Sequence, residues 1–212
     1  MTDVQRKIYA AALELADEGG LAAVSTRKVA QRVGMSHMSL YPHISSKQAL
    51  LDGMVDLLLG EHFALLGQQQ AGAGWWPRLV AIGQGVRALA RRHPSAFPLL
   101  LTRPSVTPDA VRATDALFQV LLDTGVPEAQ VPRLERLVAT FLLGFAASEV
   151  TGRFGPGSLA PRARRAQLPP EVIPAHYRLA DHLDQGTDWD AEFATDLEDL
   201  RRLIEQIARA AT

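Results

Sequence analysis

Arg27, Ser36, His37, Met38, Ser39, Tyr41, His43 and Lys47 fall within residues 27–51, a stretch that holds no acidic side chain. Arginine can fork onto a guanine edge, and lysine, tyrosine, serine and histidine can reach phosphate oxygens. The spacing around them suits that use. Ser25 and Ser36 each precede a short helical pattern and are candidate N-caps. Gly34, in "VGMS", separates the two patterns. Val29, Val33 and Leu40 can pack the two short helices together, which leaves His37, Met38 and Ser39 outward. A supporting helix, a tight turn and a second helix with free outer residues is the plan of a helix-turn-helix. An ordinary helical subdomain with solvated charges fits the same pattern.

Helices this short do not stand alone, so neighbouring elements must hold them. Residues 5–18 repeat apolar positions Ile8, Ala12, Leu15 and Ala16 at helical spacing, and Gly19-Gly20 stops them. Pro42 closes the third pattern, and a fourth helix runs from about Ser46 to Leu66. The polar, small-residue segment 68–74 reads as a turn. Further helices are expected near 75–92, 95–102, 107–124, 128–153 and 188–210, with a loop over 153–170 and a short helix within 171–185. No segment alternates with the period of a strand. The expected fold is all-α: an N-terminal three-helix helix-turn-helix domain, residues 1–48, and a C-terminal helical bundle for ligand binding and dimerisation, residues 49–212.

Composition excludes several function classes. The 212 residues are 47% hydrophobic and 21% charged, with a net charge of −1, an ordinary globular balance. Residues 1–51 carry six Lys and Arg against four Asp and Glu, a modest excess of the sign that phosphate requires. There is no cysteine, which removes disulfides, thiolate catalysis and Cys-bound zinc. No His-Glu-x-x-His or Glu-x-x-His motif occurs, and no nucleophile or paired carboxylates suggest an enzyme. "GQGVRA", residues 83–88, matches a dinucleotide fingerprint but lacks a βαβ setting, and Leu79, Ile82, Val86 and Leu89 around it form one helix face. "RARR", residues 162–165, reads as a solvated loop. The N-terminus lacks the apolar core of a signal peptide. The longest apolar run, 137–147, falls short of the ~20 residues of a membrane span. A cytoplasmic protein without metal or cofactor is expected.

Residues 25–54, "STRKVAQRVGMSHMSLYPHISSKQALLDGM", resemble the DNA-binding domain of the tetracycline-repressor (TetR) family of bacterial regulators. The resemblance covers about residues 5–55, and its most specific elements are Leu40-Tyr41-x-His43, Ser46-Lys47 and Ala49-Leu50-Leu51. It implies that Arg27, His37, Met38 and Ser39 sit at base edges. It implies further that Tyr41, His43 and Lys47 hold phosphates. Pro42 and Ile44 depart from the family pattern, which often has an aromatic or basic residue and a Phe there.

The C-terminal part resembles tetracycline repressors at "TRP" (102–104), "FLLGFAASE" (141–149) and "LPPEV" (168–172). Where that resemblance places magnesium and drug contacts, this chain has Leu99, Phe63, Ala81 and Gly85. These side chains cannot grip a metal-linked drug. An uncharged hydrophobic ligand is expected instead, lined by Phe63, Leu99, Phe141 and Phe145, with Thr102, Arg103 or Glu149 as polar contacts. The run 137–147 and the stripe Trp189, Phe193, Leu197, Leu200, Ile204 and Ile207 could form a four-helix homodimer interface about a two-fold axis. The expected partners are double-stranded operator DNA, a second copy and a small-molecule inducer, and no membrane. Two readings compete with an inducible repressor: a DNA-binding dimer without an inducer and, more remotely, an all-α enzyme with an incidental helix-turn-helix.

Overall fold

The computed structural model describes residues 1–66, 73–103, 107–153 and 160–210, apart from the side chains of 61–66. Among the described residues there are twelve α-helices and no strand. They are α1 (Asp3–Gly19), α2 (Thr26–Arg32), α3 (His37–Leu40), α4 (Lys47–Leu66), α5 (Trp75–Arg92), α6 (Leu99–Thr102), α7 (Pro108–Leu122), α8 (Val131–Thr151), the short α9 (Pro161–Arg165), α10 (Pro174–Arg178) and α11 (Ala180–Leu183), and α12 (Trp189–Arg209).

Local chemistry sets the ends of the first four. Thr2 and Gln5 form a capping box at α1, each side chain bonding the other's backbone N–H. Ser25 and Ser36 cap α2 and α3 by accepting from the Lys28 and Ser39 N–H groups. Ser46 Oγ accepts from the Ala49 N–H at the start of α4. Gly34 takes φ +70°, a conformation that costs other residues strain. There the Met35 N–H reaches back to the Ala30 carbonyl at 2.9 Å, which closes α2 and turns the chain into α3.

Burial then locks the short helices. Ile8, Ala12, Val24, Val29, Ala30, Leu40, Ile44, Leu50 and Met54 form one apolar core. The core does not stop at the end of the N-terminal domain. It continues through Leu89, Phe97, Leu99, Ala146 and Ala147, so α5, α6 and α8 rest on α1 and α4. The expected boundary at 48/49 falls inside the first turn of α4. A second core joins α5, α7, α8 and α12 around Leu79, Leu121, Leu134, Leu142, Phe193 and Ile204.

Two glycines permit close approach. A Cβ on Gly53 would lie 2.0 Å from the Tyr9 ring, so α4 takes the aromatic ring of α1 against its backbone. A Cβ on Gly83 would lie 3.0 Å from Phe193. The first glycine of "GQGVRA" therefore serves helix packing, and the motif lies wholly inside α5. No helix among the described residues is long and apolar enough to cross a membrane.

The α12 stripe differs from expectation. Phe193, Leu197, Leu200 and Ile204 are buried in their own protomer's core against α5 and α8. The physical reason is that the apolar run 137–147 of α8 has more than one apolar face, and α12 covers one of them. Leu137 on α8 and Leu203 on α12 are the large apolar side chains left outward on this pair.

Candidate nucleic-acid interface and apolar cavity

The four residues of α3 present a short, exposed ridge. Met38 is 75% exposed and Tyr41, just after α3, 47%, while Leu40 anchors the ridge in the core. His37 is exposed, bonds Thr26 Oγ1 through Nε2 at 3.1 Å, and meets the Tyr41 ring edge-on with centroids 5.1 Å apart. The start of α2 and the ridge are thus tied by one polar contact. Ser36 and Ser39 hydroxyls are bonded to each other at 2.6 Å, so Ser36 is spent largely on capping. His43 is held by its backbone: Gln5 Nε2 donates to its carbonyl at 3.3 Å. Arg27, Lys28 and Lys47 are exposed and make no ion pair among the described residues. Arg32 is different. It pairs with Glu14 and Glu18 of α1 at 3.3 and 2.6 Å, fixing α2 to α1. Three exposed cations, two imidazoles, a phenol and hydroxyls of α2, α3 and the chain running into the start of α4 can contact phosphates and the edges of a major groove.

Within the bundle lies a cavity of about 130 Å³, the order of an engineered cavity that accepts a benzene ring. Leu59 of α4, Ile82 and Val86 of α5, Phe97 before α6, and Leu100 of α6 form one side. Ala113 and Thr114 of α7 and Glu135 and Ala139 of α8 form the other. Burial pushes the Glu135 carboxyl above its ordinary pKa, opposed by the neighbouring Arg136 charge.

A clamp connects this region to the ridge. Arg103, at the end of α6, donates through Nε to Asp52 at 2.6 Å, through Nη1 to Gln48 Oε1 at 2.8 Å and through Nη2 to the Gln48 carbonyl at 3.2 Å. Both partners lie in the first turns of α4, beside Lys47. A second tie joins His93, after α5, to Asp17 of α1 at 2.8 Å.

Two family models match the chain: "Bacterial regulatory proteins, tetR family" over residues 8–54 and "Tetracyclin repressor-like, C-terminal domain" over 79–168. An HTH-type transcriptional regulator of Saccharopolyspora erythraea is 30% identical over 196 residues, covering 89% of this chain and 79% of that protein. The chain belongs to the TetR family. Another relative, the class A tetracycline repressor from transposon 1721 of Escherichia coli, is 27% identical over 80% of this chain and 78% of its own. Among solved structures, the TetR-family protein ActR of Streptomyces coelicolor in complex with actinorhodin superposes with a TM-score of 0.79. The two share 21% identity, and the match covers 98% of each chain. This protein is thus a helix-turn-helix regulator of the TetR family, a family that binds operator DNA, forms dimers and binds small molecules.

Of the eight residues expected to face DNA, Ser36, His37, Met38, Ser39 and Tyr41 lie in or beside α3, Arg27 in α2, His43 between α3 and α4, and Lys47 at the start of α4. Among the described side chains, the ligand contacts expected for this TetR-family chain are not in the lining of this cavity. Leu99 is buried in the shared core. Phe141 and Phe145 pack on Phe193, at 6.1 and 4.9 Å between centroids. Thr102 is exposed and donates to the Pro98 carbonyl of its own turn. Arg103 is occupied by the clamp. Glu149 accepts from Arg87 at 2.9 Å and from Arg91 at 2.6 Å. Burial works to raise its carboxyl, but those hydrogen bonds outweigh it and hold it below its ordinary pKa. Phe63 lies outside the described side chains. The lining residues were visible as the Ile82, Val86 and Leu89 face of α5. What was missing was which faces of α7 and α8 oppose it. Among the described residues no group of three or more His, Asp or Glu is placed to hold a metal ion.

Proposed function

We propose that this protein is a homodimeric repressor released from its operator by a small apolar molecule bound in the α4–α8 cavity, and that this molecule is not magnesium-tetracycline. The observation that carries the reading is the position of Leu59. One end of α4 bears Lys47 beside the ridge, and Leu59, three turns on, is cavity wall. A ligand that displaces Leu59 displaces the helix that holds the ridge. The Arg103 clamp carries movement of α6 to the same helix end. Arg27, His37, Met38 and Ser39 read bases in this proposal, and Tyr41, His43 and Lys47 hold phosphates. The two ridges of a dimer then engage half-sites about one helical turn apart, roughly 34–36 Å. The outward faces of α8 and α12, with Leu137 and Leu203, meet across the two-fold axis. The described lining offers one carboxylate and no imidazole, a poor match for a drug held through a divalent cation.

The test is fluorescence anisotropy on an operator duplex with and without compounds that raise the melting temperature of the free protein. By reciprocity, a compound that weakens DNA binding by some factor is itself bound more weakly by that same factor when DNA is present. Ala113→Leu, which fills the cavity, should keep operator binding and lose the compound response. A response that survives Ala113→Leu overturns the assignment of the cavity. Tight, magnesium-dependent binding of tetracycline overturns its exclusion.

A further inference from the structure

Two polar side chains stand in the otherwise apolar wall of the cavity, Thr114 and Glu135. Thr114 Oγ1 donates its proton to the Ala110 carbonyl, one turn back on α7, at 3.2 Å. Toward the cavity it presents lone pairs only. An ionised Glu135 is likewise an acceptor without a donor, and among the described residues it makes no hydrogen bond or ion pair. Among the described residues the charge acting on it is that of Arg136, which is exposed and next to it in sequence. No cationic side chain lines the cavity among the described residues. Arg87 and Arg91 of α5 are taken by Glu149 and Asp190. A partly buried carboxylate with no partner is costly, and a wall made of acceptors selects a guest that donates.

We propose that Glu135 is the specificity anchor of the effector, which is an apolar molecule bearing one protonated amine: the ammonium meets Glu135, and the apolar body lies against Leu59, Val86 and Leu100. This rests on the cavity being the effector site. It departs from the uncharged ligand expected from sequence, because the residues that suggested that ligand lie elsewhere. The raised pKa of Glu135 has a consequence for such a guest. Acidification weakens ammonium binding earlier than an ordinary carboxylate would, since protonated Glu135 no longer offers a charge.

The probes are 2-phenylethylammonium, 2-phenylethanol and phenylacetate, matched in size to the cavity and differing in charge. They are titrated into the full-length dimer at neutral pH and followed by ligand-detected NMR. The ammonium should bind roughly tenfold or more tighter than the alcohol, as hydrogen bonds to a charged group allow, with phenylacetate weakest. Glu135→Gln should bring the ammonium and the alcohol together. Alcohol binding as tight as ammonium binding in the unaltered protein overturns the proposal, as does an ammonium advantage that survives Glu135→Gln or the lack of saturable ammonium binding. Ala113→Leu separates the two readings. If it abolishes binding of all three probes and the unaltered protein shows no preference for charge, the anchor is wrong and the cavity stands. If binding ignores Ala113→Leu, the cavity assignment falls and the anchor with it.

Discussion

The Arg103 clamp gives a number that can be checked. Its guanidinium makes three hydrogen bonds to the first turns of α4, one of them the 2.6 Å bond to Asp52. The Arg103 side chain is 17% exposed and that of Asp52 45%. A fully exposed pair contributes ~0.2–1 kcal/mol, and hydrogen bonds to a buried charge ~1.5–3 kcal/mol. Half-exposure of Asp52 puts the pair near the lower of those ranges, at about 1 kcal/mol. The two bonds to Gln48 add about another 1 kcal/mol. Arg103→Ala should therefore cost about 2 kcal/mol and Asp52→Ala about 1 kcal/mol, and the double variant should cost about 1 kcal/mol less than their sum. The assay is denaturant unfolding at one fixed protomer concentration, because dimer stability depends on it. In the functional counterpart, Arg103→Ala keeps operator binding but shows a smaller loss of DNA affinity with effector. Additive single effects would refute the view that Arg103 and Asp52 form one mechanical joint.

Other perturbations have equally definite outcomes. Lys47→Ala should weaken binding to all duplexes alike and lower the slope of log K against log salt by about 0.9, whereas His37→Ala should relax sequence preference in a binding-site selection. Gly53→Ala should destabilise by several kcal/mol in thermal unfolding, although alanine is favoured over glycine by ~1 kcal/mol in an open helix, since its Cβ meets the Tyr9 ring at 2.0 Å. Glu149 has a depressed folded pKa, so its stabilising contribution is present above its unfolded pKa and fades as pH falls through the folded one; Glu149→Gln should flatten the acid limb of a pH–stability curve. Glu135 has a raised folded pKa, so its contribution is fully present below the unfolded pKa and is lost as pH rises through the folded one. Glu135→Gln should for this reason raise the melting temperature near neutral pH.

Local rules carried far in the N-terminal third. Ser25, Gly34 and Ser36 mark helix ends by chemistry that acts over three or four residues, and the structure uses each in that way. Leu40 could be placed inward and Met38 outward because a four-residue helix has few faces to choose between. The bundle was legible as a set of helices but not as a packing. Phe141, Phe145 and Glu149 lie on α8, and nothing in their spacing says which neighbour they meet. They meet α5 and α12, where Arg87, 2% exposed, stacks on Phe193 with its guanidinium 4.6 Å from the ring centroid and bonds Glu149. Glu135, nearly four turns before Glu149 on the same helix, carries no local signal that sets it apart from a surface charge. Its place in a cavity depends on α7 crossing above it, a contact between distant residues that periodicity does not encode. The α12 stripe shows the same limit: Phe193, Leu197, Leu200 and Ile204 are covered by the protomer's own α5 and α8, a contact that their spacing does not encode.

The account stands on the α2–turn–α3 ridge contacting DNA, with α4 linking it to the bundle. The most direct test is a footprint of the full-length protein on the DNA upstream of its own coding sequence, run beside a selection from random duplexes. The prediction is protection of a near-palindrome with half-sites about one turn apart, lost on combining Arg27→Ala with His37→Ala in a protein whose melting is unchanged. Absence of sequence-specific protection in both arms, or protection indifferent to those two substitutions, would contradict it.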